Sequence, residues 1–199
     1  MEICVVALMS MSAILTAWTG FQSAKWSGVQ ATSFSEAGAL RTESVRASNI
    51  AGQQVAVDVG LFSSWVDAYA SDETTLAEFY RDRFTPALDA ATSAWEALEP
   101  LQSADAPPSP FSMDEYVLPK VVEANELELA AEASAATARE ANQRSDNYVI
   151  MSVLLASVLF FAALSSKLTS ARNRRVMFGL AAIGFCACAL TVLTMPIEI

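Results

Sequence analysis

The chain contains 199 residues, of which 53% are apolar, and it has a formal net charge of −10 and no histidine. A strongly acidic protein repels nucleic acid, and a chain without histidine lacks the most common general base and a frequent metal ligand. The composition therefore argues against a nucleic-acid-binding protein and against histidine-dependent hydrolases or metalloenzymes.

The first predicted element is an apolar run over residues 3–20. Its length is close to the roughly 20 residues that a helix needs to cross about 30 Å of hydrocarbon, so we expect a first transmembrane helix. A cleaved signal peptide is the alternative. It is less favoured because no Lys or Arg precedes the run and no turn signal follows it.

Residues 27–147 have the composition of a water-facing domain, with 20 Asp and Glu against 7 Lys and Arg, a net charge of −13. None of the three cysteines lies in this region. Cys4, Cys186 and Cys188 all occur in apolar runs, where cysteine packs as a small hydrophobic residue. We therefore expect an acidic domain that does not depend on disulfide bonds.

A long helix is predicted over residues 27–70, because this segment contains no proline and its small or apolar residues recur in alternating steps of three and four. Gly52 and Gly60 would each cost about 1 kcal/mol relative to alanine, so a kink or break is considered at either glycine. The predicted buried seam consists of Ala37, Leu40, Ser44, Ala47, Ala51, Gln54, Asp58, Leu61 and Trp65.

Two shorter helices are predicted next. The first is amphipathic and covers residues 74–84. Thr85 and Pro86 then form an N-cap followed by proline at the first helical position, which starts a helix that reaches Leu98.

Residues 99–110 contain four prolines and are expected to form an extended loop. Two restarts of the helix are possible after it. Ser112 begins a capping-box pattern with Glu115, and Pro119 is an alternative first helical residue.

The next helix is predicted over residues 119–147 and continues toward the second membrane helix. Its seam is rich in alanine, which allows close approach of a partner helix. We expect helices 27–70 and 119–147 to be antiparallel, each extending into its own membrane helix, while the short helices cap the pair or complete a four-helix bundle. The predicted fold class is all-α. The second seam consists of Ala124, Leu127, Ala131, Ser134, Ala138 and Ala141.

Two further apolar runs, over residues 149–166 and 176–195, predict the second and third transmembrane helices. The loop 167–175 between them has four Lys or Arg and no acidic residue, which indicates a cytoplasmic loop. The N-terminus is then cytoplasmic, and residues 27–147 and the C-terminus are extracytoplasmic. The third run is rich in Gly and Ala, which favours helix association, although small residues are also common in membrane helices generally.

No combination of residues predicts catalysis or a cofactor. A nucleophile would have no histidine to activate it, and a phosphate site would have no glycine-rich loop. The Cys-x-Cys pair of the third run has no further cysteine or histidine beside it, so a zinc site is not expected. Carboxylates are abundant, but runs such as residues 123–132 are best interpreted as a solvated helix face. We therefore expect a protein that is not an enzyme and holds no cofactor or metal.

Polar and aromatic residues gather where the first two membrane helices are predicted to leave the bilayer. The simpler interpretation is that they seal the helix pair at the level of the headgroups, with an ion pair between Lys25 and Asp146. The other interpretation is a ligand or partner site, or the outer mouth of an oligomeric pore. This juxtamembrane cluster consists of Gln22, Lys25, Trp26, Gln30, Asn142, Arg144, Asp146, Asn147 and Tyr148.

Two motifs flank these helix ends: residues 16–31 read TAWTGFQSAKWSGVQA, and residues 140–148 read EANQRSDNY. With these motifs, and with the Asp105-Ala106-Pro107-Pro108 loop, the chain resembles a family of small bacterial membrane proteins over nearly its whole length. The resemblance implies a multi-pass protein of the bacterial cytoplasmic (inner) membrane. It implies no activity.

Three functional hypotheses follow. The first is a non-enzymatic interaction or sensing subunit in the lipid bilayer, similar in layout alone to the ligand domains of bacterial chemoreceptors. Because little beyond residues 167–175 would lie in the cytoplasm, a signal would pass to another membrane protein. The alternative is a small channel or transport accessory assembled as a homo-oligomer. A membrane enzyme with a carboxylate-based site has the least support.

Overall fold

The structure is a computed structural model that describes residues 2–100, 102–103 and 105–199. The described residues are all-helical and contain no strand, which confirms the predicted fold class. In chain order the elements are α1 (Glu2–Ala70), α2 (Thr74–Arg81), α3 (Pro86–Glu96), a 3-10 helix (Pro110–Ser112), α4 (Pro119–Lys167) and α5 (Ala171–Thr194).

Within the described chain, the helices α1, α4 and α5 are each long and apolar enough to cross a membrane. They contain the three apolar runs of the sequence, as predicted. The first two runs are the ends of much longer helices, because α1 has 69 residues and α4 has 49. The architecture is consistent with a membrane protein.

The chain divides into two compact units. Unit 1 comprises Met1–Ala37 and Glu132–Ile199, and unit 2 comprises Gly38–Ala131. Helices α1 and α4 each contribute to both units, so the expected continuation of the long helices into the membrane runs is present.

In unit 1, α1 and α4 pack antiparallel through small side chains. The Thr19 and Ser152 hydroxyl oxygens lie 2.8 Å apart, and those of Ser23 and Ser145 lie 3.0 Å apart. The partner of each α1 serine or threonine moves backward along α4 as α1 advances, which defines the antiparallel direction. The buried alanines of α4 in this unit are Ala135, Ala138, Ala141 and Ala162.

Helix α5 packs on this pair through an apolar cluster of Leu8, Val158, Ala162 and Ala181. Close approach here depends on a glycine: a β-carbon added to Gly184 would lie 3.0 Å from Cγ2 of Val158. Valine is stiff at its first side-chain torsion in a helix and yields little. The small residues of the third run therefore mediate helix association within the chain, at least at Gly184.

In unit 2, α1 and α4 are again antiparallel. The Ser44 hydroxyl donates to the Ala124 carbonyl at 2.9 Å, and Arg41 lies 3.7 Å from Glu128. Every residue of both predicted seams is buried or half-buried, so the heptad-like spacing predicted the packed faces correctly.

The break considered at Gly52 or Gly60 does not occur, because α1 continues through both glycines as helix. The reason lies in the buried neighbours of the two glycines. Ala51 and Asp58, which neighbour the two glycines, are buried in the seam, and this packing offsets the glycine cost of about 1 kcal/mol each.

The short helices follow the predicted capping chemistry. Helix α3 begins at Pro86, and the Thr85 hydroxyl accepts a hydrogen bond from the Leu88 backbone at 3.3 Å, as expected for an N-cap. Helix α2 ends at Arg81 rather than Phe84, because the backbone nitrogens of Arg83 and Phe84 bond carbonyls three residues earlier, which tightens the last turn.

Helix α4 begins at Pro119, so the alternative start at Ser112 is wrong. Ser112 instead closes the 3-10 helix. The residue before a proline avoids the helical region, so Leu118 is disfavoured within a helix that would run from Ser112. The intervening turn also directs Tyr116 toward α1, where its hydroxyl finds a buried partner.

That partner is Asp58, whose side chain is fully buried in unit 2. Three side chains donate to its carboxylate: the Tyr116 hydroxyl at 2.7 Å, the Thr85 hydroxyl at 3.0 Å and the Gln54 amide at 3.0 Å. The same Thr85 oxygen caps α3. Asp58 therefore links α1, the start of α3 and the turn before α4, and its desolvation is compensated by hydrogen bonds.

The predicted basic loop 167–175 is mostly helix. Helix α4 ends at Lys167 and α5 begins at Ala171, so Arg172, Arg174 and Arg175 lie in the first turns of α5. The correction concerns conformation only, since the four basic residues remain grouped in sequence. A Ser170 with extended backbone at the N-cap position allows the helix to begin this early.

Replacing Tyr116 by phenylalanine removes one of the three donors to Asp58 and should lower the free energy of unfolding by about 1–3 kcal/mol. Burial, together with the hydrogen bond to Asp58 and its negative charge, raises the pKa of Tyr116 well above its ordinary value. The tyrosine therefore contributes its full stability below pH 10, and this contribution is lost as the pH rises toward its folded pKa.

Urea unfolding in detergent, followed by circular dichroism at pH 8 and above pH 10, measures both effects. The stability difference between the native chain and Tyr116→Phe should shrink at the higher pH. Tyr80→Phe is the control, since the Tyr80 hydroxyl makes no hydrogen bond with the described residues. A difference that is absent at pH 8 would show that the buried carboxylate does not need this donor.

Candidate functional site

The structure divides the juxtamembrane cluster into a sealed centre and an exposed margin. Helix α1 positions Gln22, Lys25, Trp26 and Gln30, and α4 positions the other five residues, all within unit 1. Gln22, Trp26 and Tyr148 are buried, whereas Asp146 and Asn147 are exposed and the other four are half-buried.

The sealed centre is closed by the C-terminal tail, residues 195–199, which follows α5. Gln22 is fully buried and bonds the tail in both directions. Its amide nitrogen donates to the Glu198 carbonyl at 3.0 Å, and its amide oxygen accepts from the Glu198 backbone nitrogen at 2.9 Å. This reciprocal pair satisfies both polar groups of the Gln22 side chain, in the way that two neighbouring β-strands exchange backbone hydrogen bonds.

Two aromatic side chains bind the tail beside it. The Tyr148 hydroxyl donates to the Pro196 carbonyl at 3.0 Å, and the Trp26 indole nitrogen donates to the same oxygen at 3.2 Å. These residues form an apolar cluster with Ala141 and Val192. The C-terminal tail is therefore held by the three most buried members of the juxtamembrane cluster.

Sequence reasoning missed the role of the tail. It did place the C-terminus on the same side as the cluster, and Pro196 did indicate the end of the third helix. The signal that could have predicted it is that Gln, Trp and Tyr side chains need hydrogen-bond acceptors when they are buried near one membrane surface. A carbonyl just after a helix end is such an acceptor.

The predicted ion pair between Lys25 and Asp146 is not formed among the described residues. Asp146 accepts instead from the Asn142 amide at 3.1 Å, one helical turn away. Arg144 pairs with Glu140, and its guanidinium lies 4.5 Å from the centre of the Trp26 ring. Asp146 and Arg144 each bond a residue four positions earlier on α4, so Asp146 does not depend on Lys25 of α1 for a partner.

The exposed margin contains a shallow depression of about 380 Å³ in unit 1. Of the juxtamembrane cluster only Lys25 lines it, together with Glu198 of the tail and small residues of α1. Gln30 and Asn147 make no side-chain hydrogen bond with the described residues. The arrangement supports the sealing interpretation for the centre of the cluster, and does not assemble all nine residues into one site.

A second candidate site, which sequence reasoning did not predict, is a cavity of about 310 Å³ in unit 2. Its aromatic lining comes from Trp65 and Tyr69 of α1, whose rings stack with centres 5.5 Å apart, and from Trp95 of α3. The Trp95 indole nitrogen donates to the Pro107 carbonyl at 2.7 Å, which fixes the ring against the proline loop. The remaining lining residues are Val66, Glu96, Glu99, Pro100 and Gln102. We call this the aromatic cavity.

The sequence analysis placed Trp65 in the buried seam of the first long helix, residue 95 within the helix that reaches Leu98, and Glu99 in the loop that follows. Nothing in the local pattern shows that both tryptophans line one cavity. The signal that was present is Trp95, a large aromatic residue just before the proline-rich loop 99–110 of an acidic domain.

Among the described residues, no group of three or more Cys, Asp or Glu side chains is arranged to hold a metal ion. Asp58 is occupied by three donors and has no access to a substrate. The two candidate sites present aromatic faces, carboxylates and backbone groups, which are suited to recognising a ligand.

Comparison with protein-family models, with curated proteins and with solved structures found no match.

Replacing Gln22 by alanine should release the C-terminal tail, because both hydrogen bonds to Glu198 are lost. At a net of about 1 kcal/mol for each hydrogen bond, opening of the tail becomes roughly 30-fold more frequent. Digestion of the full chain in detergent by a carboxypeptidase should accelerate accordingly. Lys25→Ala is the matched control, one helical turn along α1 with no bond to the tail. Equal digestion rates for the two variants would contradict this role of Gln22.

Proposed function

We propose that this chain is a non-enzymatic interaction or sensing subunit of a bacterial cytoplasmic membrane. The observation that carries the proposal is the continuity of α1 and α4, which run unbroken from the apolar runs into an acidic helical unit. A ligand or partner that alters the pairing of these helices in unit 2 acts on the same two helices that contain the first and second apolar runs. Helices α1 and α4 alone therefore connect unit 2 to the first and second apolar runs.

The packing of the two helices supports this role. Their seams contain buried alanines and serines in both units, among them Ala47, Ala131 and Ser145, so the helices are close there and sliding or rotation changes many contacts at once. Packed helices of this kind move by small shear displacements between discrete arrangements. Such a pair is suited to transmitting a change in unit 2 to a neighbouring membrane protein.

The proposed orientation places the α4–α5 connection in the cytoplasm and unit 2 outside. It is supported by Lys167, Arg172, Arg174 and Arg175, which lie together at this connection without an acidic residue between them. The acidic character of unit 2 is in keeping with an extracytoplasmic location.

Labelling with a membrane-impermeant maleimide tests this orientation, in a background where the three cysteines are replaced by serine. On intact cells, Ser103→Cys should react and Ser170→Cys should react only after permeabilisation. Labelling of Ser170→Cys from outside would invert the proposed topology.

The alternative function, a small oligomeric channel, receives no specific support from unit 1. Gln22 and Tyr148 are fully buried at its junction, and the C-terminal tail covers them, so a pore would have to form between copies of the chain. The two proposals therefore differ in the composition of the native complex.

The full chain, tagged at its N-terminus so that the C-terminal tail stays intact, should be extracted from native membranes in mild detergent and weighed by native mass spectrometry. We expect a complex with a different membrane protein at a constant ratio. A tagged three-helix membrane protein of unrelated sequence controls for adventitious capture. A homo-oligomer that conducts ions in planar bilayers would favour the channel, and an isolated monomer would contradict both.

A further inference from the structure

We propose that the aromatic cavity of unit 2 binds a small organic cation, meaning a quaternary ammonium on a compact apolar body. This proposal adds a ligand class to the proposed sensing function, and it rests on that function only for the consequence of ligand binding. The site itself is argued from the cavity alone.

The lining matches the chemistry of cation recognition. The faces of Trp and Tyr rings have negative electrostatic potential, and cages of such rings bind quaternary ammonium groups in other proteins. Three of these rings, from Trp65, Tyr69 and Trp95, line the aromatic cavity. Tyr69 is 62% exposed and its ring is therefore available to a ligand, whereas Trp65 is 8% exposed and stacks against it.

The chain itself shows that Trp65 attracts a cation. The guanidinium carbon of Arg81 lies 5.5 Å from the centre of the Trp65 ring and 5.3 Å from that of Phe84. Arg81 is not part of the cavity lining and is anchored by Asp89 at 2.9 Å and by Glu96 at 3.2 Å. Because Arg81 and the stacked Tyr69 ring both lie against Trp65, an external cation in the cavity would contact the rings of Tyr69 and Trp95.

The charge at the rim comes from two carboxylates, Glu96 and Glu99. Glu96 forms an ion pair with Arg81, whereas Glu99 makes no ion pair among the described residues. Glu99 also adopts a left-handed backbone conformation, with φ of 49°, which is uncommon for glutamate. Its carbonyl accepts from the backbone nitrogens of Gln102 and Ser103 at 2.8 Å and 2.9 Å, which holds the turn in place.

Other ligand classes fit less well. An anion would face the two rim carboxylates, and the net charge of −13 on residues 27–147 repels anions while concentrating cations. A bare metal ion would prefer several oxygen ligands to an aromatic wall. A volume of about 310 Å³ is at the small end of the range for ligand pockets, which favours a small molecule over a folded partner.

Isothermal titration of the full chain in maltoside micelles tests the proposal, because these micelles contain no choline headgroup. The probes are choline and its neutral isostere 3,3-dimethylbutan-1-ol, which have nearly the same shape and differ in charge. We expect saturable binding of choline, and binding of the neutral isostere that is about tenfold weaker or more.

Two variants locate the site. Glu99→Gln removes the rim charge and Tyr69→Ala removes an aromatic wall that makes no side-chain hydrogen bond with the described residues, and each should weaken choline binding by about fivefold. The matched controls are Glu126→Gln, another exposed glutamate of unit 2, and Phe79→Ala, an exposed aromatic residue outside the cavity lining. Both controls should bind choline as the native chain does, and circular dichroism should show the same helix content throughout.

Several outcomes would overturn the proposal. These are equal binding of the neutral isostere, unchanged binding in both Glu99→Gln and Tyr69→Ala, or no saturable choline binding up to about 10 mM. Binding of N-acetyl-lysine-methylamide in place of choline would assign the cavity to a lysine side chain of a partner protein, and would also overturn it. Choline binding without a co-purifying membrane protein would preserve the site and contradict the proposed subunit function.

Discussion

The structure depends on close packing between α1 and α4, in which many of the buried side chains are alanine or serine. Ala131, Ala135 and Ala138 of α4 are at most 1% exposed, and Ala47 and Ala51 of α1 are nearly as buried. At these positions the seam owes its stability to dispersion contacts between closely spaced helices, while larger residues such as Leu40, Leu61 and Trp65 fill the space elsewhere in the seam. An enlarged residue there would separate the two helices along several turns, since an interior of this density has no space to accept it.

This constraint also determines where polar groups occur. In unit 1, serine and threonine hydroxyls on the seam bond each other or a backbone carbonyl, as Ser145 does with Ser23, so they are satisfied without widening the seam. Larger polar side chains are buried only where the two-helix seam gains a third component. Gln22 and Tyr148 bond the C-terminal tail in unit 1, and Asp58 bonds Thr85 and Tyr116 in unit 2. Polar burial thus marks the places where the helix pair is joined to other parts of the chain.

The sequence alone predicted the features that repeat along a helix. The alternating steps of three and four identified both seams, and Thr85-Pro86 identified the start of α3, because these signals involve residues within a few positions of one another. It did not predict bonds between distant residues. Gln22 and Glu198 are 176 positions apart, and no periodicity links Asp58 to Tyr116. The expected Lys25–Asp146 pair failed for a related reason: Asn142, one turn away on α4, satisfies Asp146 first. The capping box at Ser112 was a valid local pattern overridden by the proline at position 119.

The same reasoning separates the two candidate sites. The juxtamembrane cluster has the residue types of a recognition site, but its buried donors are already bonded to Pro196 and Glu198, so a ligand would have to displace the chain's own tail. In the aromatic cavity the Trp95 indole is satisfied by Pro107, which fixes the ring while leaving the stacked rings and the Glu99 carboxylate available to a ligand. Of these two sites, the aromatic cavity is the one that allows recognition without displacement of the tail. The functional hypothesis therefore moves from the membrane surface, where the sequence concentrated it, to the aromatic cavity of the acidic unit.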